Sequence, residues 1–224
     1  EKAGIGAGMQ GVDLCCCTGA GMRFLVRMRK VAQMRGVDAT PAVIARGKER
    51  NRKIGADGAI EFVQADVCQT GLPGGGADFV WGEDAWCYVA DKAALAKEAA
   101  RLVRRGGTVA FTDWVEGANV PTPAEATRLL TFMKFPTLAS LKDWRGLLTA
   151  AGLTVKRAED TGRFAPYMDL YLDMIGRQFT FDALRIIGFN PTMMATLATE
   201  MEFMRGLARG GKIVQGLFVA RREA

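Results

Sequence analysis

The run Val12-Asp13-Leu14-Cys15-Cys16-Cys17-Thr18-Gly19-Ala20-Gly21 places an acid, three thiols and two glycines within ten residues. A short apolar strand that ends in a glycine turn before a helix lets a ligand approach the backbone closely. Such turns are common, and alone the run reads equally well as a plain strand-to-helix connection. Asp38 lies 17 residues beyond Gly21 and closes a second apolar segment. An acid at about that separation suits a ribose, because a carboxylate accepts from both hydroxyls. Asp66 closes a third segment, Val63-Gln64-Ala65-Asp66-Val67, where a carboxylate can receive an adenine amine. A single Asp at a strand end is usually a cap or a turn residue. An ordered series of acids at the ends of successive strands points instead to the ligand edge of an open α/β sheet.

The elements needed to position these acids are present. Residues 11–16, 31–38, 60–65, 77–81 and 108–112 read as strands. Helices are predicted over 22–28, from Thr40-Pro41 to about Arg52, and over 92–103; Thr is a good N-cap and Pro fits the first helical turn. Strands alternating with helices predict a parallel sheet with helical crossovers. After Asp113 the pattern turns helical over 123–134, 141–151 and 167–187, with strands at 154–158 and 212–220.

Composition narrows the chemistry. The 224 residues are 49% hydrophobic and 24% charged, ordinary for a globular domain. No histidine occurs, which excludes Ser-His and Cys-His catalysis and a His-ligated metal, and no metal is expected. A general base must be Asp, Glu, Tyr, Cys, Lys or water. Three of the five cysteines are consecutive, which is no disulfide framework and suggests a reducing cytoplasm. No apolar run is long enough to cross a bilayer and none reads as a leader, so no membrane partner is expected. The net charge is +6, and the basic run Arg46, Lys48, Arg50, Arg52, Lys53 reads as a solvated helix face, so nucleic acid is not the expected partner. The chain begins at Glu1, shortly before the first turn. A missing N-terminal segment is expected, and with it a cofactor cleft more open than in relatives with a longer N-terminus.

The ordered motifs resemble the class I S-adenosylmethionine-dependent methyltransferases. The shared features are a turn of the D-x-G-x-G-x-G kind, acids after strands two and three, Ala77-Asp78-Phe79-Val80-Trp81, and Arg101-Leu102-Val103-Arg104-Arg105-Gly106-Gly107 ahead of strand five. The resemblance spans residues 11–115. It implies an α/β Rossmann-like, mostly parallel sheet with helices on both faces and a helical insertion after strand five. It also implies one domain over 1–224, with a cofactor-binding half (11–115) and a substrate-side half carrying the last strands (116–224). S-adenosylmethionine is the implied cofactor, held by Asp13, Cys15, Gly19, Gly21, Asp38, Ala39, Asp66, Val67 and Gly82. The chain departs from the family in Cys15 and Cys17, where glycine is usual, and in Arg105, where proline is common.

The segment Trp81-Gly82-Glu83-Asp84-Ala85-Trp86-Cys87-Tyr88-Val89 is similar to one in the sarcosine/dimethylglycine and phosphoethanolamine N-methyltransferases. There an Asp faces the amine and a histidine follows one turn later. Asp84 matches the Asp and Tyr88 stands at the histidine position; their i, i+4 spacing predicts a shared helical face. Phe111-Thr112-Asp113-Trp114 and Gly211-Lys212-Ile213-Val214-Gln215-Gly216 also look like the betaine-forming members. The resemblance implies a small amine acceptor, with Asp84 and Tyr88 catalytic. Trp86 and Trp114 are expected at the substrate, since aromatic faces attract a methylated cation, although most aromatics should be core. Arg163 is a candidate clamp for a carboxylate and equally a solvated surface residue. Transfer to oxygen, sulfur or carbon, or a non-catalytic cofactor-binding scaffold, are the alternatives. A homodimer is left open.

Overall fold

The computed structural model describes residues 2–177 and 188–224. In chain order the elements are β1 (Gln10–Leu14), α1 (Ala20–Arg29), β2 (Gln33–Asp38), α2 (Pro41–Lys53), β3 (Ile60–Gln64), β4 (Ala77–Glu83), a 3-10 turn (Trp86–Tyr88), α3 (Lys92–Leu102), β5 (Val103–Glu116), α4 (Pro123–Met133), α5 (Leu141–Ala150), β6 (Thr154–Asp160), α6 (Phe164–Gly176), α7 (Pro191–Arg209) and β7 (Ile213–Arg221). The strands form one sheet in the order β3-β2-β1-β4-β5-β7-β6. Strands β1 to β5 run parallel, and β7 runs antiparallel between β5 and β6. The strand order reverses between β1 and β4, so the turns that leave their carboxyl ends flank the crevice where open α/β sheets bind ligands.

Local chemistry sets the helix starts. Thr122 with Glu125 and Ser140 with Asp143 form capping boxes for α4 and α5, and Asp91 caps α3 by accepting from the Ala94 N–H. Helix α7, which the sequence reading passed over, carries the same kind of signal: Asn190 accepts from the Met193 N–H and Pro191 follows in the first turn. The helix predicted over 167–187 begins earlier, at Phe164, and its positions 178–187 lie outside the described residues.

Three apolar clusters hold the layers together. Trp86, Phe111, Trp144 and Phe218 anchor the first, between the sheet and helices α3 and α5. Met22, Leu25, Ile44, Phe62 and Phe79 form the second, under α1 and α2, and Ile5 brings the N-terminal segment onto it. Leu129, Phe164, Met168, Met201, Met204 and Ile213 form the third. It seats α4, α6 and α7 beside the end of β5, where Glu116 pairs with Ile213.

Two buried charged residues brace the segment after β4. Asp113 on β5 is fully buried. It accepts from the Cys87 N–H (2.9 Å) through Oδ1 and from Trp144 Nε1 (3.2 Å) through Oδ2. Lys92 Nζ donates to the carbonyls of Cys87, Val89 and Thr137. Burial pushes the Asp113 carboxyl up to about 7, with the Cys87 hydrogen bonds acting the other way. An acid whose folded pKa is raised disfavours the folded state progressively as pH climbs from its unfolded value to its folded one. Asp113→Asn should therefore gain stability relative to the unmutated chain as pH rises from about 4 to about 7. Urea unfolding across that range checks this, and a difference that does not change with pH would contradict it.

Candidate active site

The turn after β1 is held from two sides. The Cys16 N–H donates to Val37 O (3.1 Å), the Gly19 N–H to Cys16 O (2.8 Å) and the Cys17 N–H to Asp38 Oδ2 (2.9 Å). Arg23 and Arg50 reach back to the Thr18 carbonyl and hydroxyl. Asp38 Oδ1 accepts from the Thr40 N–H (2.9 Å). Each Asp38 oxygen thus makes one backbone bond and keeps a second lone pair for a ligand. Thr40 precedes α2 but makes no side-chain cap; its own N–H is held by Asp38. Asp66, exposed beyond β3, accepts from the Cys68 N–H (2.8 Å) through Oδ1 and so forms a turn. Ala39 is exposed next to Asp38, whereas the Val67 side chain belongs to the core.

Further residues shape the crevice. Asp13 is buried in β1, and burial, then Glu83 and Asp38, raise its carboxyl well above the usual range. A Cβ on Gly21 would lie 2.4 Å from Glu83 Oε2, so the Glu83 carboxylate reaches over the start of α1, where the helix dipole favours it. Sequence reasoning gave Glu83 no role. Gly82 is required by packing, because a Cβ there would meet the Trp86 indole at 2.3 Å.

Asp84 follows β4 with φ 49°. This left-handed bend overturns the predicted shared helical face of Asp84 and Tyr88, since an α-helix cannot pass through it; only the 3-10 turn Trp86–Tyr88 follows. The Asp84 N–H donates to Thr112 O (2.8 Å). Its Oδ2 accepts from Gln215 Nε2 (2.7 Å), and Gln215 Oε1 accepts from Thr161 Oγ1 (3.0 Å). The Thr161 hydroxyl thereby turns the Gln215 amide so that its NH2 faces Asp84. Asp84 Oδ1 is buried and has no hydrogen-bond partner among the described residues. Burial raises the Asp84 carboxyl, with Thr112 and Gln215 acting the other way.

An aromatic wall gathers around Trp114 of β5. Trp114, opposite Gln215 in the β5–β7 ladder, meets Phe164 edge-on at 4.7 Å and Phe135 at 5.6 Å. Tyr88, half exposed, sits edge-on against Phe135 at 4.8 Å. Phe135 and Phe164 were not anticipated from the sequence. Trp86, expected at the substrate, is instead fully buried: it stacks on Phe111 at 3.9 Å and donates to Leu14 O (3.1 Å). Arg163 is exposed at the start of α6, where its N–H donates to Thr161 Oγ1 and its carbonyl accepts from the Tyr167 N–H, and its guanidinium has no partner among the described residues.

Residues 12–111 match the family described as a methyltransferase domain. A curated relative, cycloartenol-C-24-methyltransferase 1 of Oryza sativa subsp. japonica, is 25% identical over 94% of this chain. Over residues 12–111 the chain therefore carries a methyltransferase domain. It spans 62% of the rice relative's length. A solved candidate sarcosine dimethylglycine methyltransferase from Galdieria sulphuraria superposes with a TM-score of 0.87 at 22% identity, covering 99% of this chain and 82% of that one. The Haemonchus contortus phosphoethanolamine N-methyltransferase 2, solved in complex with S-adenosyl-L-methionine, gives 0.85 at 17% identity, covering 100% and 51%. At these identities the two structures show the shared fold.

The turn after β1 is unusual in a way the backbone explains. Cys15, Cys17 and Gly19 have φ of 64°, 49° and 78°, so two cysteines occupy left-handed positions suited to glycine. Cys15 offsets part of that strain by packing against the core, whereas Cys17 is exposed. Cys17→Gly should therefore stabilise the protein by about 1 kcal/mol. Thermal unfolding measures this, and a destabilised variant would show that the Cys17 side chain does more than strain the turn.

Proposed function

We propose that this methyltransferase acts on a small amine, held by the free oxygen of Asp84. The observation that carries the reading is the buried Oδ1, without a partner among the described residues, beside an Oδ2 pinned by Gln215. A buried polar atom without a partner is costly, and a charge-assisted bond from an ammonium would remove that cost.

The crevice residues fit S-adenosylmethionine. Asp38 keeps two lone pairs for ribose hydroxyls and Asp66 offers its exposed carboxylate to the adenine amine. Glu83 presents a carboxylate over Gly21 for the ammonium of the methionine portion. When bound, the cofactor supplies a methyl group on a sulfonium, whose departure as a neutral thioether needs no acid. The chain's own residues must then align the acceptor and exclude water. Asp84, with its raised carboxyl, is suited to take the proton that an amine sheds before attack. Partial burial raises the Tyr88 phenol, so Tyr88 remains protonated at neutral pH and serves as a hydrogen-bonding group, not as the base. Trp114, Phe135 and Phe164 wall off water and offer ring faces to a methylated cation. Arg163, whose guanidinium has no partner among the described residues, is the candidate for an acceptor carboxylate.

Asp84→Asn keeps the shape and removes the charge. With sarcosine, dimethylglycine and phosphoethanolamine as probes, it should raise the Michaelis constant by about tenfold or more and leave S-adenosylmethionine affinity unchanged in calorimetry. An unaltered Michaelis constant would exclude Asp84 as the ammonium site. The aromatic wall supports a second reading, methylation at carbon, as named for the rice relative. A carbocation formed on methylating an alkene would find the same rings and carboxylate, and turnover of alkene acceptors alone would favour it.

A further inference from the structure

Charge is unevenly distributed along the chain. Residues 20–54 hold ten Lys and Arg against two Asp and Glu, and the other residues hold twenty against twenty-two. The excess sits on α1, α2 and the segment joining them. Between the two helices, Phe24, Met28 and Ile54 are 54%, 68% and 39% exposed. They share one shallow hollow with Arg23, Arg27, Arg50 and Lys53. Arg23 donates to Thr18 O and Asn51 Oδ1, Arg27 to Ile54 O and Arg50 to Thr18 Oγ1. These guanidinium groups are held by neutral oxygens, so their charge is not cancelled. Lys53 pairs with Glu49, the one acid on α2.

We propose that this face docks on an anionic phospholipid surface, with Phe24, Met28 and Ile54 entering the headgroup layer and the surrounding cations meeting lipid phosphates. Phe24 and Met28 lie one turn apart on α1, so both project from the same side. Exposed apolar side chains ringed by Lys and Arg match the requirements of an interface that is apolar inside and anionic outside. A nucleic acid would also meet the cations, but its backbone offers no apolar layer to three protruding hydrocarbon side chains. No helix among the described residues is long and apolar enough to cross a membrane, and a surface contact requires none. The sequence expectation of no membrane partner rested on the length of apolar runs, which bears on crossing and not on docking.

Sedimentation of the full chain with vesicles tests the proposal. The protein should pellet with equimolar phosphatidylcholine and phosphatidylglycerol, should not pellet with phosphatidylcholine alone, and should be released by salt. Arg27→Glu with Lys53→Glu should weaken partitioning by more than tenfold, at roughly fivefold per cation removed. Phe24→Ser with Met28→Ser should weaken it several-fold. Both variants leave the cofactor crevice intact and should retain S-adenosylmethionine affinity and far-UV circular dichroism. Three results would each overturn the proposal: no pelleting of the unmutated chain with anionic vesicles, unchanged partitioning of the Phe24/Met28 variant, or binding of a single-stranded RNA oligonucleotide in place of the vesicles.

Discussion

Asp38→Ala should weaken S-adenosylmethionine binding by roughly 10- to 150-fold, the equivalent of about 1.5–3 kcal/mol for lost hydrogen bonds to a charged group. The size of the effect follows from the position of Asp38. Its carboxylate closes β2, fixes the Cys17 N–H of the turn and the Thr40 N–H ahead of α2, and still has two lone pairs to offer. Removing it takes away the brace that shapes the turn and, on the proposed reading, a ligand contact as well. Calorimetry on the two proteins gives the comparison directly, and equal affinities would remove Asp38 from the cofactor site.

Trp86→Ala should destabilise the fold by about 3–5 kcal/mol. The indole stacks on Phe111, leans on Trp144 at 5.6 Å and satisfies the Leu14 carbonyl at the end of β1. Its loss leaves a cavity at the crevice floor and takes one hydrogen bond from the Leu14 carbonyl at the end of β1. Urea unfolding should show the loss in full, and S-adenosylmethionine affinity should fall with it. A cost below about 1 kcal/mol would mean that the surroundings close over the gap, contrary to the dense packing of a native core.

The positions of Asp38 at the end of β2 and Asp66 just beyond β3 were legible because strand ends can be read from apolar runs. Sheet class and most elements followed from the same periodicity. Trp86 was misread because an aromatic residue beside a site and one beneath it look alike in sequence; burial depends on Phe111 and Trp144, which arrive from later strands and helices. The pairing of Asp84 with Tyr88 failed because Asp84 adopts a left-handed φ, which its residue type permits but does not announce. Gln215 and Thr161 lie 131 and 77 positions beyond Asp84, so no local pattern could connect them to it. Helix α7 was readable in principle from Asn190-Pro191 and the apolar spacing of Met194, Leu197, Met201 and Met204.

The central claim is that the crevice carries a methyl group to a cationic small amine gripped by Asp84. Its most direct test is transfer of labelled methyl from S-adenosylmethionine to sarcosine, dimethylglycine and phosphoethanolamine by the unmutated protein, with product identified by mass spectrometry. The account predicts a methylated amine product from at least one of these, with turnover falling as the acceptor's cationic nitrogen is replaced by a neutral isostere. Labelled product on a neutral carbon or oxygen acceptor, with none on any amine, would contradict it.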